Sequence, residues 1–512
     1  MKILFVDIDT MRPDHLGCYG YARNTSPNID AVAAEGVRFN EYYCSDSPCL
    51  PSRASLISGR FGLRTGTVGH GGIAADRRLY APERGMQDRQ DTENFINIFR
   101  RAGMYTASIS TFPERHSAWW FSAGFNETFN EGNIGLESGD TVTPYVLDWL
   151  DKNGAAKDDW FLHIHYWDPH TPYRAPLDFG NPFENEPLED CFWMTEEDLA
   201  RHEQIVGPHT THELNMFDDN EVECLPRNPG HIHSMADLKR TIDGYDTGVA
   251  YMDYCLGKVF DRMKELGIYE DTAIIITADH GENFGELGVY AEHGTADKAC
   301  CNIPMIIRWP GCRKGTVDDG FHYNLDILPT VCDLLNVEKS DMWDGQSYAA
   351  TLTEGKDTGR DALVISQMAH VCQRSVRFGD WIYIRTVHDG FHLYDDEMLY
   401  NLKDDPHEQF DVKDKYPEIC AMGARIMLNW LDTEMKRNPS EIDPMWTVYH
   451  EGGPFHAADA DLEKYAQRLR DTGREDKAEE LLAKHRRPAA KKLSTNGARA
   501  FKHLYESRKN DK

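Results

Sequence analysis

The chain has 512 residues, 40% of them hydrophobic and 27% charged, with 55 lysines plus arginines against 85 acids and a formal charge of −30. That length is too great for one ordinary core, which predicts two domains, and the apolar and aromatic content excludes a disordered chain. So acidic a balance argues against nucleic-acid partners and anionic membranes, and any anionic substrate must meet a local cationic pocket.

The N-terminal MKILFVDIDT has too short an apolar run for a signal peptide, and nothing later approaches the ~20 apolar residues of a membrane span, so the chain is expected to be soluble and cytoplasmic. The 12 cysteines are scattered without a CxxC pair, which suggests reduced thiols. ILFVDI (3–8) predicts a buried strand, followed by an RPDH turn. PNIDAVAAEG (27–36) predicts a short helix, and Ala54 to Ile57 begin another just after PSR. DTENFINIFRRA (91–102) is amphipathic, with Asp91 as cap and Gly103 as stop. YTASIS predicts a strand, TPYVLDWLDKN a helix and WFLHIHYW a strand; residues 235–266 carry the longest helical pattern, and TAIIITADHG predicts a buried strand.

Strands alternate with helices over roughly the first 360 residues, which predicts an α/β fold with a large, mostly parallel sheet sandwiched by helices. From about 366, SVRFGDWIYIRTV and GFHLYDDEMLYNL predict short antiparallel strands. The expected organisation is a catalytic domain over 1–365, a small C-terminal α+β domain over 366–450, and a charged helical tail over 451–512 in which KHRRPAAKKL reads as a solvated linker.

Asp9 ends the first strand, Asp279 and His280 end TAIIITA, and His170 lies just past WFLHIHYW. Strand ends of a parallel sheet converge on one crevice, and two carboxylates with an imidazole suit a divalent cation. Each strand-end aspartate taken singly is equally a cap or a turn residue. Cys49, in CSDSPCLPSRASLISGR, reads from its own surroundings either as a buried thiol or as a functional group.

The ordered set of motifs decides between those readings. Cys49-Leu50-Pro51-Ser52-Arg53 with Ser58-Gly59-Arg60, DTMRPDHLGCYG, HYWDPHTPY, TADHGENFGELG, EHGTADK, IPMIIRWPG, LDILPTVCDLL and LYNLKDDPHEQFDV resemble, in family order, the formylglycine-dependent (type I) sulfatases of the alkaline-phosphatase-like fold. The resemblance covers about residues 3 to 415. It implies sulfate-ester hydrolysis, with a sulfated carbohydrate as the expected small-molecule substrate. It implies that a maturase oxidises Cys49 to the aldehyde formylglycine (3-oxoalanine), whose hydrate attacks sulfur. It assigns one divalent metal, calcium first with magnesium or manganese as alternatives, to Asp9, Asp279, His280 and the modified Cys49. It makes Arg53 a support for the diol, Lys298 the sulfate-binding lysine, and His170 a sulfate contact or the acid for the leaving alcohol. His116 stands where a lysine–x–histidine pair is usual, and His293 is expected to line the pocket.

There are departures from the pattern. Thr10 replaces a second aspartate, leaving Asp7 as a supporting group on the same face of the strand. Glu114 stands two residues before His116, so Arg115 is the substitute charge. Trp119, Trp120, Tyr166 and Trp167 are expected either to stack a sugar ring or to pack the core. Loops over 174–234 and the EGGPFH stretch are expected to set specificity. The alternatives are a phosphonate or phosphate ester hydrolase, a sulfamidase acting on an N-sulfate, and a silent binding relative.

Overall fold

The computed structural model describes residues 1–78, 93–205, 210–212, 216–438 and 442–485. Its main sheet holds β1 (Lys2–Ile8), β2 (Val37–Phe39), β5 (Tyr105–Ile109), β6 (Glu127–Phe129), β7 (Trp160–Tyr166), β8 (Thr272–Ala278), β11 (Met305–Arg308) and β12 (Thr316–Asp318). A second sheet holds β4 (Asp46–Ser47), β14 (Ala362–Gln367), β15 (Cys372–Phe378), β16 (Trp381–His388) and β17 (Glu397–Asn401). Two short ladders pair β3 (Tyr42–Tyr43) with β13 (His322–Tyr323), and β9 (Asn283–Phe284) with β10 (Tyr290–Glu292).

The main sheet runs β12-β2-β11-β8-β1-β7-β5-β6. Its centre, β8-β1-β7-β5-β6, is parallel, and β11 lies antiparallel to both β8 and β2. All seven residues of β7 and of β8 are buried, as expected of strands covered on both faces. On one side α1 (Pro27–Ala34) and the helix Gly139–Trp149 pack with the long helix Met235–Glu265; elsewhere α2 (Cys49–Ser58) packs with Phe95–Arg101. The predicted α/β fold is the observed one.

Several boundaries differ from expectation. α2 begins at Cys49 rather than near Ala54, and all ten of its residues are buried. It is short of the polar face that would have marked its start. The helix expected from Asp91 runs Phe95–Arg101, capped by Asn94, whose side chain accepts from Asn97 N–H at 2.8 Å; Asp91 itself lies outside the described residues. Within GFHLYDDEMLYNL only Glu397–Asn401 is a strand, because Phe391 (φ 71°) and Leu393 (φ 56°) turn the chain through the left-handed region.

The second sheet reaches into the site. β4 pairs in parallel with β14, Asp46 opposite Ser366 and Ser47 opposite Gln367, so the segment leading to Cys49 leaves one sheet and starts a helix on the other. Buried Asp46 fixes that crossing: Oδ2 accepts from Ser45 Oγ (2.9 Å), Ser55 Oγ (3.0 Å) and Gly62 N (2.8 Å). The chain divides into the compact units Met1–Ala458 and Asp459–Lys512; of the second, the helices Leu462–Asp471 and Glu475–His485 are described and pack on each other. KHRRPAAKKL lies almost wholly outside the described residues. Among the described residues, no helix is long and apolar enough to cross a membrane.

Asp46→Ala leaves three buried donors unpaired. It is expected to lower the unfolding free energy by roughly 2–3 kcal/mol, measured by urea denaturation.

Candidate active site

Strand register assembles the site. Ile8 of β1 stands opposite Tyr166 of β7 on one side and Ala278 of β8 on the other. Asp9 and Asp279 therefore leave the sheet at one level, at the carboxyl ends where parallel sheets open a crevice. Thr10 lies at φ 62°, which a β-branched residue adopts only at a cost. In that conformation its N–H donates to Asp279 Oδ1 (3.1 Å) and its Oγ1 to Asp9 Oδ1 (2.8 Å). Tyr245 Oη, from the long helix, donates to Thr10 O and accepts from Arg12 N, both at 2.8 Å, and so pins the turn.

α2 is docked against the same strand ends. Ser52 Oγ donates to Asp279 O at 2.7 Å, and Asn324 Nδ2 donates to Ser52 Oγ at 3.1 Å. Cys49, the first residue of α2, places Sγ 3.0 Å from His280 Nε2. His280 Nδ1 donates to Gly281 O (2.8 Å), which turns the Nε2 lone pair toward Cys49. Donor atoms of Asp9, Cys49, Asp279 and His280, all buried, lie within 4.8 Å of one another.

One turn along α2, fully buried Arg53 spans three carboxylates. Nε and Nη2 donate to Asp7 Oδ2 (2.7 Å) and Oδ1 (2.9 Å), and Nη1 donates to Asp9 Oδ2 (3.1 Å) and Asp279 Oδ2 (2.5 Å). Nη2 also donates to His165 Nε2 at 2.7 Å, while the guanidinium carbon lies 4.8 Å from the Phe112 ring centre. Burial, then the Arg53 charge, hold His165 below the ordinary imidazole range, as a neutral acceptor. Asp7 is spent on Arg53 and on His163 Nε2, 3.3 Å away, and so belongs to the support of the cluster.

The carboxylates are in excess. Burial pushes Asp9 up, but Arg53 and His165 outweigh it and hold the carboxyl well below the usual range. Asp279 is pushed well above that range by burial, against Arg53, with Asp9 and Asp7 adding to the rise. Two carboxylates and an imidazole facing one point, with one guanidinium shared among three acids, fit a divalent cation held mainly by oxygen. Asp9, Asp279, His280 and the side chain at 49 are the residues that would hold it.

The other predicted residues divide. His170 Nδ1 donates to Thr171 O (2.7 Å) and Nε2 lies 3.9 Å from Asp9 Oδ1. The His293 ring centre is 4.3 Å from that of His280 and 5.5 Å from that of His170, and Cys49, His170 and His293 also bring donor atoms within 4.8 Å. Lys298 lies just after β10. It opens the one-turn helix Lys298–Cys301, its backbone N–H is held by Glu408 Oε1 (2.9 Å), and it lines a cavity of about 210 Å³ with Arg12, Asp14, Glu286 and His407. His293, five residues earlier, stands at the Cys49 cluster. The His116 ring lies 5.1 Å from that of His70. Arg115 stacks on Trp167 at 5.2 Å. Trp120, Tyr166 and Trp167 are core residues, and only Trp119, 64% exposed, is free to meet a ligand.

Sequence reasoning missed His165, whose signal was two histidines at alternate positions of an apolar strand. It also missed His70 and His370, which stand in loops with no pattern to mark them.

A family model described as Sulfatase matches residues 2–337. The chain belongs to the sulfatase family. The activity that goes with it is hydrolysis of a sulfuric ester. Among curated proteins this sulfatase is similar to a sulfatase of Formosa agariphila, 24% identical over 84% of this chain and 87% of the relative. It is also similar to the N-acetylglucosamine-6-O-sulfatase of Bacteroides thetaiotaomicron, 23% identical over 88% of this chain and 89% of the relative. Its fold is similar to that of a protein solved with its substrate D-glucosamine-2-N,6-O-disulfate (TM-score 0.67, 18% identity, 86% of this chain and 99% of that one). The phosphonate monoester hydrolase of Agrobacterium radiobacter shares the fold as well (TM-score 0.63, 19% identity, 87% and 97%).

Two stability effects follow from these ion clusters. Arg53→Met leaves three buried carboxylates without their cation and is expected to cost about 3–5 kcal/mol at neutral pH, read by urea unfolding. Beside the site, Arg12 joins the loops after β1 and β8 through Glu286 (3.0 Å) and Glu282 O (2.9 Å). Burial pushes Glu286 up, but Arg12 and His407 overrule it and hold the carboxyl at about 2, below its ordinary 4.5. That stabilisation is present above pH 4.5 and is lost as pH falls toward 2. The wild type should therefore lose about 3 kcal/mol more than Glu286→Gln between about pH 6 and about pH 2, measured by chemical denaturation.

Proposed function

We propose that the protein removes a sulfate group from a sulfated carbohydrate, with Cys49 as the precursor of its nucleophile. The observation that carries this reading is the convergence of Cys49, Asp9, Asp279 and His280 within 4.8 Å at the strand ends of a sulfatase fold. Relatives that act on sulfated sugars support the substrate class.

After oxidation of Cys49 by a maturase and hydration of the aldehyde, one hydroxyl attacks sulfur and the alcohol leaves. The second hydroxyl then loses its proton, the aldehyde re-forms, and sulfate departs by C–O cleavage. A bound divalent cation, calcium on this donor set, would supply Lewis-acid stabilisation of developing negative charge. Arg53 orients the carboxylates from behind. His280 Nε2, 3.0 Å from the group at 49, would be committed to the cation beside it. His170 and His293 face the same cluster and are the groups for the sulfate oxygens and for protonating the leaving alcohol. A sulfate monoester carries one negative charge, and this mostly imidazole lining suits it better than a doubly charged phosphate monoester.

Co-expression with a maturase should convert Cys49 to the aldehyde, seen as a mass shift of the peptide that carries it. Cys49→Ala should then be inert on a panel of O-sulfated and N-sulfated sugars and phosphonates. Normal turnover by that variant would remove Cys49 from the chemistry, and preference for the phosphonates would replace sulfate as the substrate.

A further inference from the structure

We propose that His70, His370 and His456 form a second cation site beside the Cys49 centre, one that takes a borderline transition metal such as Zn²⁺. One ring nitrogen from each lies within 4.8 Å of those of the other two. His70 Nδ1 and His456 Nε2 are 2.9 Å apart, and the His370 and His456 rings stack at 4.1 Å. Two nitrogens bound to one tetrahedral ion at about 2.0–2.1 Å sit roughly 3.3 Å apart, so the His70–His456 pair must open slightly, and the His370 ring must turn out of its stack on His456, for the three lone pairs to meet one ion.

The three imidazoles come from separate segments, and backbone hydrogen bonds hold them in place. His70 is at the tip of a loop closed by Val68 N–H and Gly69 N–H, which both donate to Ala74 O (2.7 and 3.1 Å). That loop runs so close to Phe455 that a Cβ on Gly71 would meet its ring at 2.1 Å. His456 N–H donates to Ala369 O (3.0 Å), which docks it on the turn carrying His370. In that turn Gln367 Oε1 accepts from Ala369 N (2.7 Å) and His370 N (3.2 Å), while Gln367 Nε2 donates to His293 O (2.8 Å). The cluster is thereby tied to the catalytic crevice.

Chemistry favours a metal over an anion. Burial, with neighbouring imidazoles, holds His70 well below the ordinary range, so it is the neutral form that ligates. His370 Nδ1 lies 2.8 Å from Glu292 Oε1, an ion-pair contact that a turn of the ring converts into the carboxylate–histidine hydrogen bond of a metal-binding imidazole. An all-imidazole set suits Zn²⁺, Cu²⁺ or Ni²⁺ and disfavours Ca²⁺, which separates it from the oxygen-rich set around Asp9. Three protein ligands leave a fourth position for water or a substrate oxygen.

The test uses the full chain saturated with Ca²⁺, and Co²⁺ as the probe. One equivalent of Co²⁺ should give visible ligand-field absorption that Zn²⁺ abolishes. His70→Gln and His456→Gln should each lose the band while keeping the wild-type circular dichroism and melting curve, and Glu292→Gln should weaken binding about 10–100-fold. The readout is independent of turnover and of the state of Cys49. Absence of the band in the wild type, or its persistence unchanged in both histidine variants, would overturn the site.

Discussion

Everything at the crevice depends on one buried guanidinium shared by three carboxylates. Arg53 is fully buried, and it reaches Asp7, Asp9 and Asp279 from two neighbouring strands at once. A buried charge must be paired and hydrogen-bonded, so this arrangement fixes the position of α2 relative to β1 and β8. Cys49 lies one turn earlier on the same helix and is carried to its place by that constraint. The same pairing leaves negative charge uncompensated, because one cation is divided among three acids. The site is thus built to be completed by a divalent ion. Fold and chemistry rest on the same imbalance.

Around this cluster the polar groups are chiefly histidines. His165 accepts from Arg53, His280 faces Cys49, and His170 and His293 pack beside them. A further file of rings runs outward, His293 to His370 at 5.3 Å and His370 to His456 at 4.1 Å. Imidazole is the side chain able to hold a proton, release it, or ligate a metal near neutral pH. Lys298 lines a cavity with Arg12, Asp14, Glu286 and His407. The strained turn at Thr10 is consistent with a functional site: its cost is offset by Tyr245 and by the hydrogen bonds it gives to Asp9 and Asp279.

Much of this was readable in the residues. β1, β7 and β8 announced themselves as apolar runs ending in polar residues, because strands buried on both faces admit little else. Asp9, Asp279 and His280 were recognisable at those ends, and Cys49 and Arg53 through the motif that contains them. The start of α2 was misread because a helix buried on all sides carries no amphipathic signal. Three of the four rim aromatics proved to be core, since a large ring beside a strand end looks the same in sequence whether it faces ligand or protein. Lys298 was assigned through its motif, and the structure shows it lining a cavity with Arg12, Asp14, Glu286 and His407.

The sequence by itself determined the class of sheet, the family, and the acids and cysteine that meet at its strand ends, because those depend on local periodicity and on motifs contiguous along the chain. Only the tertiary structure decided that His165 accepts from Arg53, that β4 joins the crevice to the second sheet, and that His70, His370 and His456 lie together. Those three histidines are separated by 300 and 86 positions in the chain. Nothing local couples them, and their meeting is set by the register of the second sheet and by the hydrogen bonds that dock distant loops on its turn.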